Sequence, residues 1–163
     1  MDILTNYFIK NNIKVQDYYW NSTSLWLGNR IEHGDKEIIY RIEQDTVIVV
    51  IYRRISKKSN NLHNPFKSFI WLVETIVNNI PEIRYIKGQV DALTLNNDNV
   101  LTSARLIDYY CRIMGGLIDG SLLSGYLWFD LRNYQSMQQR KKLGLIKKRG
   151  SLFQAEVCPR SYK

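Results

Sequence analysis

Cysteine is scarce in this chain, with only Cys111 and Cys158 among 163 residues. Two thiols are too few for a disulfide framework or a zinc site, and a reducing cytoplasm is the compartment they fit. Histidine is equally sparse. His33 and His63 stand apart, with no Cys or carboxylate at ligand spacing and no Ser or Cys in a nucleophile motif. Neither a metal centre nor a Ser/His or Cys/His catalytic site is therefore expected. No apolar run approaches the roughly 18 to 20 residues of a membrane span. The start, Met1-Asp2-Ile3-Leu4, lacks the basic stretch and apolar core of a signal peptide, so the expectation is a soluble, unexported protein. Acidic residues are missing from one end only. Residues 1–131 hold 14 Lys and Arg against 14 Asp and Glu, whereas residues 132–163 hold 9 basic residues against Glu156 alone. The net charge of +8 thus belongs to the tail. A neutral body with a basic tail points to an acidic or polyanionic partner for the tail, or to a merely solubilising end.

What is present suits one core. At 45% hydrophobic over this length, the chain is expected to form a single α+β domain over residues 1–131, with residues 132–163 as a basic extension packed on or flanking it. Residues 46–115 organise the rest. The run Val47-Ile48-Val49-Val50-Ile51-Tyr52 is short and rich in β-branched side chains, the pattern of a strand buried on both faces. Asn64-Pro65-Phe66 follows as a helix start, with Asn64 as cap and Pro65 at the first position. Phe66, Phe69, Ile70, Val73, Ile76, Val77 and Ile80 then form an apolar stripe that ends at Pro81. A strand is predicted over residues 84–95, and a helix from Thr102 carrying Ala104, Ile107, Tyr110, Cys111 and Met114 inward to the stop at Gly115-Gly116. This strand-helix-strand-helix unit implies two parallel strands joined by a crossover.

Before it, Ile3, Leu4, Tyr7 and Phe8 behind Asp2 predict a short helix. Residues 13–21 favour neither period and are read as helix or irregular. A hairpin is expected from Leu25 onward, with a turn or bulge at Gly28-Asn29 and a break at His33-Gly34-Asp35. Residues 36–43 and 46–55 should pair antiparallel across Gln44-Asp45. After the unit, Tyr126-Leu127-Trp128-Phe129 reads as a strand, residues 133–149 as a weak basic helix broken at Gly144, and residues 152–157 as a last strand. The fold class is a mixed sheet with antiparallel N-terminal strands.

Two family likenesses accompany this reading. Tyr40-Arg41-Ile42-Glu43, Asn64-Pro65-Phe66, Lys87-Gly88-Gln89-Val90-Asp91-Ala92-Leu93, and Leu101-Thr102-Ser103-Ala104-Arg105-Leu106 with Tyr110 and Gly115 resemble the low-calcium-response regulator R (LcrR) family of bacterial type III secretion systems, over residues 40–116. Tyr40 and Gln89 stand where that family carries Trp and Asn. The resemblance implies a bacterial cytoplasmic protein that controls or assembles virulence secretion through protein contacts, without a cofactor or an enzymatic activity. The element order also resembles the GCN5-related N-acetyltransferases, with Arg105 to Gly115 similar to that family's penultimate helix. That likeness implies an acyl-coenzyme A transferase-like protein, degenerate or active. Those enzymes hold pyrophosphate with a glycine-rich loop at a helix start, and the corresponding residues 56–63 contain no glycine.

Three sets of residues are candidates for binding. Lys57, Lys58 and His63 precede a helix N-terminus and could receive an anion or an acidic peptide. Arg54, Asp91 and Arg105 lie on the two parallel strands and the following helix, where an Asp between two guanidiniums would orient a ligand or simply satisfy Asp91, the structural role being favoured. In the tail, Arg140, Lys141, Lys142, Lys147, Lys148 and Arg149 alternate with Leu143, Leu145 and Ile146. This is a composition that suits nucleic acid, anionic lipid or an acidic groove on a partner protein. Only charge supports the nucleic-acid alternative, and nothing in the pattern sets the oligomeric state.

Overall fold

The structure, a computed structural model, describes residues 1–55, 66–89, 103–118, 126–136 and 139–140, with the backbone alone for 103–106. Its first element, helix α1 (Ile3–Lys10), starts where Asp2 accepts hydrogen bonds from the Thr5 amide at 2.8 Å and the Thr5 hydroxyl at 2.7 Å. Strand β1 (Gln16–Tyr19) follows, which corrects the reading of residues 13–21 as helix or irregular. Three adjacent aromatics obscured the period there because β1 is an end strand with mostly exposed side chains, so no buried face imposes alternation.

Strands β2 (Trp26–His33), β3 (Lys36–Glu43) and β4 (Thr46–Arg54) form an antiparallel meander. Two-residue turns join them. Gly34 takes φ +61° between His33 and Lys36, and Gln44 takes φ +57° between Glu43 and Thr46. Where β1 meets β2, Tyr18 faces Gly28 but Tyr19 faces Trp26, so Leu27 is the extra residue of a bulge. Gly28 is required there. Its φ is +153°, and a Cβ would stand 2.3 Å from the Tyr40 carbonyl oxygen.

Helix α2 (Lys67–Asn79) crosses from β4 to strand β5 (Tyr85–Gly88), which pairs parallel to β4 from Thr46↔Tyr85 to Val49↔Gly88. Helix α3 (Ser103–Met114) leads to strand β6 (Leu127–Asp130), antiparallel to β5, and a single 3-10 turn (Leu131–Asn133). The sheet order is β1-β2-β3-β4-β5-β6. Gly115 and Gly116, at φ +78° and +111°, end α3 with a hydrogen bond from the Gly116 amide to the Cys111 carbonyl at 3.0 Å.

Helices α1, α2 and α3 contribute to one core. Ile31, Ile38, Tyr40, Val47, Val49, Ile86, Leu127 and Phe129 of the sheet meet Leu4 and Phe8 of α1, Leu72, Val73 and Ile76 of α2, and Tyr110 and Met114 of α3. Each large apolar side chain removed from water this way contributes about 1.5–3 kcal/mol. The α2 stripe is rotated from expectation: Leu72 is fully buried, Ile70 is only half-buried and Val77 is exposed. Leu72 joins Phe69, Val73 and Ile76 on one face at helical spacing, which sets Ile70 and Val77 at the margin of that face. On β4, Val47 and Val49 face the helices while Ile48 is buried on the opposite side, as the short apolar run predicts. Beyond β6, Leu131 and Tyr134 return to the core, and the Tyr134 hydroxyl donates to Glu74 of α2 at 2.8 Å. The expected cap and first position of α2 (Asn64, Pro65), the strand beyond Gln89, and the expected elements within residues 141–163 lie outside the described residues.

Two substitutions test this packing. Gly28→Ala should lower unfolding free energy by about 2 kcal/mol or more in urea titration, because both φ and the Tyr40 carbonyl oppose a methyl group; a loss below half a kcal/mol (~0.5) would show that the bulge relaxes. The fully buried Tyr110 hydroxyl has no hydrogen-bond partner among the described residues. Tyr110→Phe should therefore leave stability unchanged or raise it by up to about 1 kcal/mol in the same titration.

Candidate functional site

Of the sequence-derived candidates, Arg140 and Arg54 have described side chains with described partners, and Arg54 is the one that forms an ion pair. It ends β4, and its Nε lies 2.9 Å from Asp35 Oδ2 in the β2–β3 turn. The buried Lys36 ammonium reaches the same oxygen at 3.2 Å. Burial opposes ionisation of Asp35, but the hydrogen bond and charge of Lys36, joined by the charge of Arg54, outweigh it and hold the carboxyl below its ordinary value. Arg54 is thus engaged with Asp35. Asp91 lies outside the described residues, and of Arg105 only the backbone position in α3 is described. Lys57, Lys58 and His63 also lie outside them, as do Lys141, Lys142, Lys147, Lys148 and Arg149. Arg140 is described, and its guanidinium is 3.5 Å from the Arg112 carbonyl at the end of α3.

Beside Arg54, the start of α2 packs on the end of β2. The His33 ring stacks on Trp71 with centroids 3.9 Å apart and planes 4° from parallel. Ser68 Oγ donates to the His33 carbonyl at 2.9 Å and lies 3.1 Å from His33 Nδ1. With the serine proton so directed, Nδ1 carries the imidazole proton and donates to Oγ. Burial, then the charge of Lys67, pushes the His33 pKa down. The arrangement locks α2 onto the hairpin and gives His33 a structural place that its isolated position in the sequence did not reveal.

On the face of the sheet away from the helices, Glu37 is nearly enclosed between the guanidiniums of Arg30 and Arg53, which hydrogen-bond its two oxygens. Burial opposes ionisation of Glu37, and those hydrogen bonds and charges override it, so its pKa is lowered. Arg53 also lies over the Tyr18 ring, 5.9 Å from its centroid. At the other end of the sheet, hydrogen bonds from Arg132, supported by the charge of Arg84, hold Asp130 at about 2. These charges are spent on one another and hold strands in register.

A different surface stands open. Met1, Ile3, Ile9, Tyr19, Trp20, Leu25 and Trp26 are seven of the nine large apolar side chains exposed among the described residues, and all fall between the start of the chain and the first residue of β2. Trp20, 49% exposed, and Leu25, 60% exposed, flank that turn, closed by the Trp20 amide donating to the Leu25 carbonyl at 2.9 Å. Between α1 and β1–β2 runs a groove of about 500 Å³ lined by Asp2, Thr5, Ile9, Asp17, Trp26 and Asn29 among others. Sequence reasoning passed over this edge. Its signal was the run Tyr18-Tyr19-Trp20 set between polar stretches, apolar bulk with no helix or strand period to bury it. Among the described residues no cluster of three or more His, Cys, Asp or Glu could hold a metal, and no helix is long and apolar enough to cross a membrane.

Acidification tests the His33 contact. A ring whose folded-state pKa is depressed contributes stability that is complete above the ordinary value of 6.5 and is lost as pH falls through the lower, folded-state value. Between about pH 7.5 and about pH 5 the melting temperature of the wild type should therefore fall more than that of His33→Gln, which cannot titrate. Equal falls in circular-dichroism melts would remove His33 from the pH response.

A family model described as Type III secretion system regulator (LcrR) matches residues 1–149, so the likeness seen over residues 40–116 extends through the N-terminal edge and into the basic tail. No curated protein and no solved structure matches the chain, and nothing confirms the acetyltransferase likeness.

Proposed function

Since the chain belongs to the LcrR family of type III secretion system regulators, we propose that it regulates secretion through non-covalent protein contacts in the bacterial cytoplasm, and that it catalyses no reaction. The observation that carries this reading is the exposed apolar edge. Contiguous exposed aromatic surface costs solubility and favours association, and Trp and Tyr are the side chains that anchor protein interfaces most strongly. Tyr19, Trp20, Leu25 and Trp26 supply such anchors on a rigid sheet end.

In this reading residues 1–131 fold as one α+β unit that presents the edge, and the basic extension adds long-range attraction toward an acidic partner surface. Electrostatic attraction of that kind raises association rate more than it raises affinity. The Lys57, Lys58 and His63 loop and the tail residues Arg140, Lys141, Lys142, Lys147, Lys148 and Arg149 are proposed as secondary contact points on the same grounds of charge. Arg54, Asp91 and Arg105 are proposed as structural supports behind them.

The double variant Trp20→Ser with Leu25→Ser tests the edge. Both side chains are exposed, so the melting temperature should move by no more than about 2 °C. Regulated secretion in a strain carrying this chain should be lost to the level of the deletion strain. Wild-type secretion control by a folded double variant would sink the proposal.

A further inference from the structure

β1 ends the sheet, and among the described residues no backbone hydrogen bond reaches its outer side. The opposite end differs. There the Ile118 amide donates to the Trp128 carbonyl at 2.9 Å, so the outer side of β6 is already partly covered. Unpaired strand edges accept another strand unless something blocks them, and the usual blocks are proline, charged side chains, a bulge, a very short strand or a covering segment. β1, Gln16-Asp17-Tyr18-Tyr19, is short, carries Asp17 and pairs with β2 through a bulge, but it has no proline, and the groove beside it is open.

The charge of that groove selects what can enter. Asp2 accepts from the Thr5 amide and hydroxyl and from Asn29 Nδ2 at 2.9 Å, all neutral donors. Asp17 accepts from Trp26 Nε1 at 3.0 Å, also neutral. Neither carboxylate has an ion-pair partner among the described residues; Asp45, Glu74 and Glu82 are also unpaired but do not line the groove, and the other described carboxylates are paired. The Met1 ammonium is the one cation among the described residues of the lining and pairs with neither, and Lys10 and Lys14 do not line the groove. Two oriented carboxylates beside Trp26 and Ile9 make a place for a cation carried on an apolar stem, with the Trp26 ring available for cation–π attraction.

We propose that β1 and the α1–β1 groove bind an extended segment of a partner protein by strand addition, the segment carrying Lys or Arg that enters the groove toward Asp2 and Asp17. Main-chain hydrogen bonds to β1 supply affinity, and the side chain of the bound strand that points into the groove supplies specificity. This deepens the protein-contact reading and rests on it.

The test uses the full chain. Random octapeptides displayed as a library are selected on it, and the best synthetic peptide is titrated by calorimetry. The expected winners carry Lys or Arg among β-branched and aromatic residues. The double variant Asp2→Asn with Asp17→Asn keeps side-chain oxygens for the α1 cap and for Trp26 while removing both charges. It should melt like the wild type and bind the peptide about tenfold or more weakly, and N-methylation of alternate peptide amides should abolish binding. Selection that yields no binder, or yields acidic or uncharged peptides, overturns the proposal. So does unchanged affinity for the Asn variant or for the N-methylated peptide. A wild-type dimer in light scattering whose β1 amides are protected from hydrogen exchange gives the edge to a second copy and likewise overturns it. If any of these occurs while the Trp20→Ser, Leu25→Ser variant still loses secretion control, strand addition fails and the protein-contact reading stands; if that variant also behaves as wild type, both fail.

Discussion

The parallel pairing of β4 with β5 is the constraint from which the other placements follow. Parallel strands cannot be joined by a tight turn, so the chain must cross over one face of the sheet, and the crossover segment must be apolar where it touches that face. α2 meets the requirement with Phe69, Leu72, Val73 and Ile76 buried against Val47, Val49 and Ile86. Gly88 allows the closest approach, since a Cβ there would stand 3.1 Å from the Val49 carbonyl oxygen. With α2 fixed, α1 packs through Phe8 on Trp71, and α3 packs through Tyr110 against Phe69. The helices lie on one face because that is where the first crossover put them.

That one-sided arrangement explains the distribution of charge. The face opposite α1, α2 and α3 carries ion pairs at Arg30–Glu37–Arg53 and Lys87–Glu43 over the buried Ile39 and Ile48. Each exposed pair adds little stability on its own. Their joint effect is on register, because a one-residue slip would set Glu37 among the helices and Ile38 among the arginines. Six carboxylates of the body, Glu32, Asp35, Glu37, Glu43, Asp108 and Asp130, are therefore paired internally, and the groove carboxylates Asp2 and Asp17 are among those left without an ion pair among the described residues.

How legible these features were in the sequence follows the strength of the burial that enforces them. The β3–β4 pair, α2, and the stop of α3 at Gly115-Gly116 could be read from residues because a two-sided or one-sided core imposes a period, and because left-handed φ demands glycine. β1 was illegible for the opposite reason: a strand exposed along its length has no period to show, and its identity comes from pairing with β2 through a bulge at Leu27. The His33–Ser68–Trp71 contact joins residues 35 apart in sequence for the serine pair, and no local pattern announces it. Arg54 was read toward Asp91 from the order of elements alone, and the partner the structure describes for it is Asp35, set beside it because Lys36 pairs directly with Arg54 in the β3–β4 register.

The exposed edge follows from the same accounting. A chain that could bury Tyr19, Trp20 and Trp26 against its own core would gain about 1.5–3 kcal/mol for each, so leaving them in solvent concedes stability. The sheet offers no place to bury them. The helix-covered face is filled by α1, α2 and α3, and α1 already uses Leu4 and Phe8 on β2–β4. The bulge at Leu27 turns β1 further from the core by increasing the local twist, and Gly28 makes that bulge sterically allowed only by lacking a Cβ. The residue that is hardest to replace in the first hairpin is therefore one that positions β1 and its aromatic side chains, and it gives the body no apolar contact of its own. Such a sacrifice of packing at a rigid sheet end has a physical return only when another surface covers it.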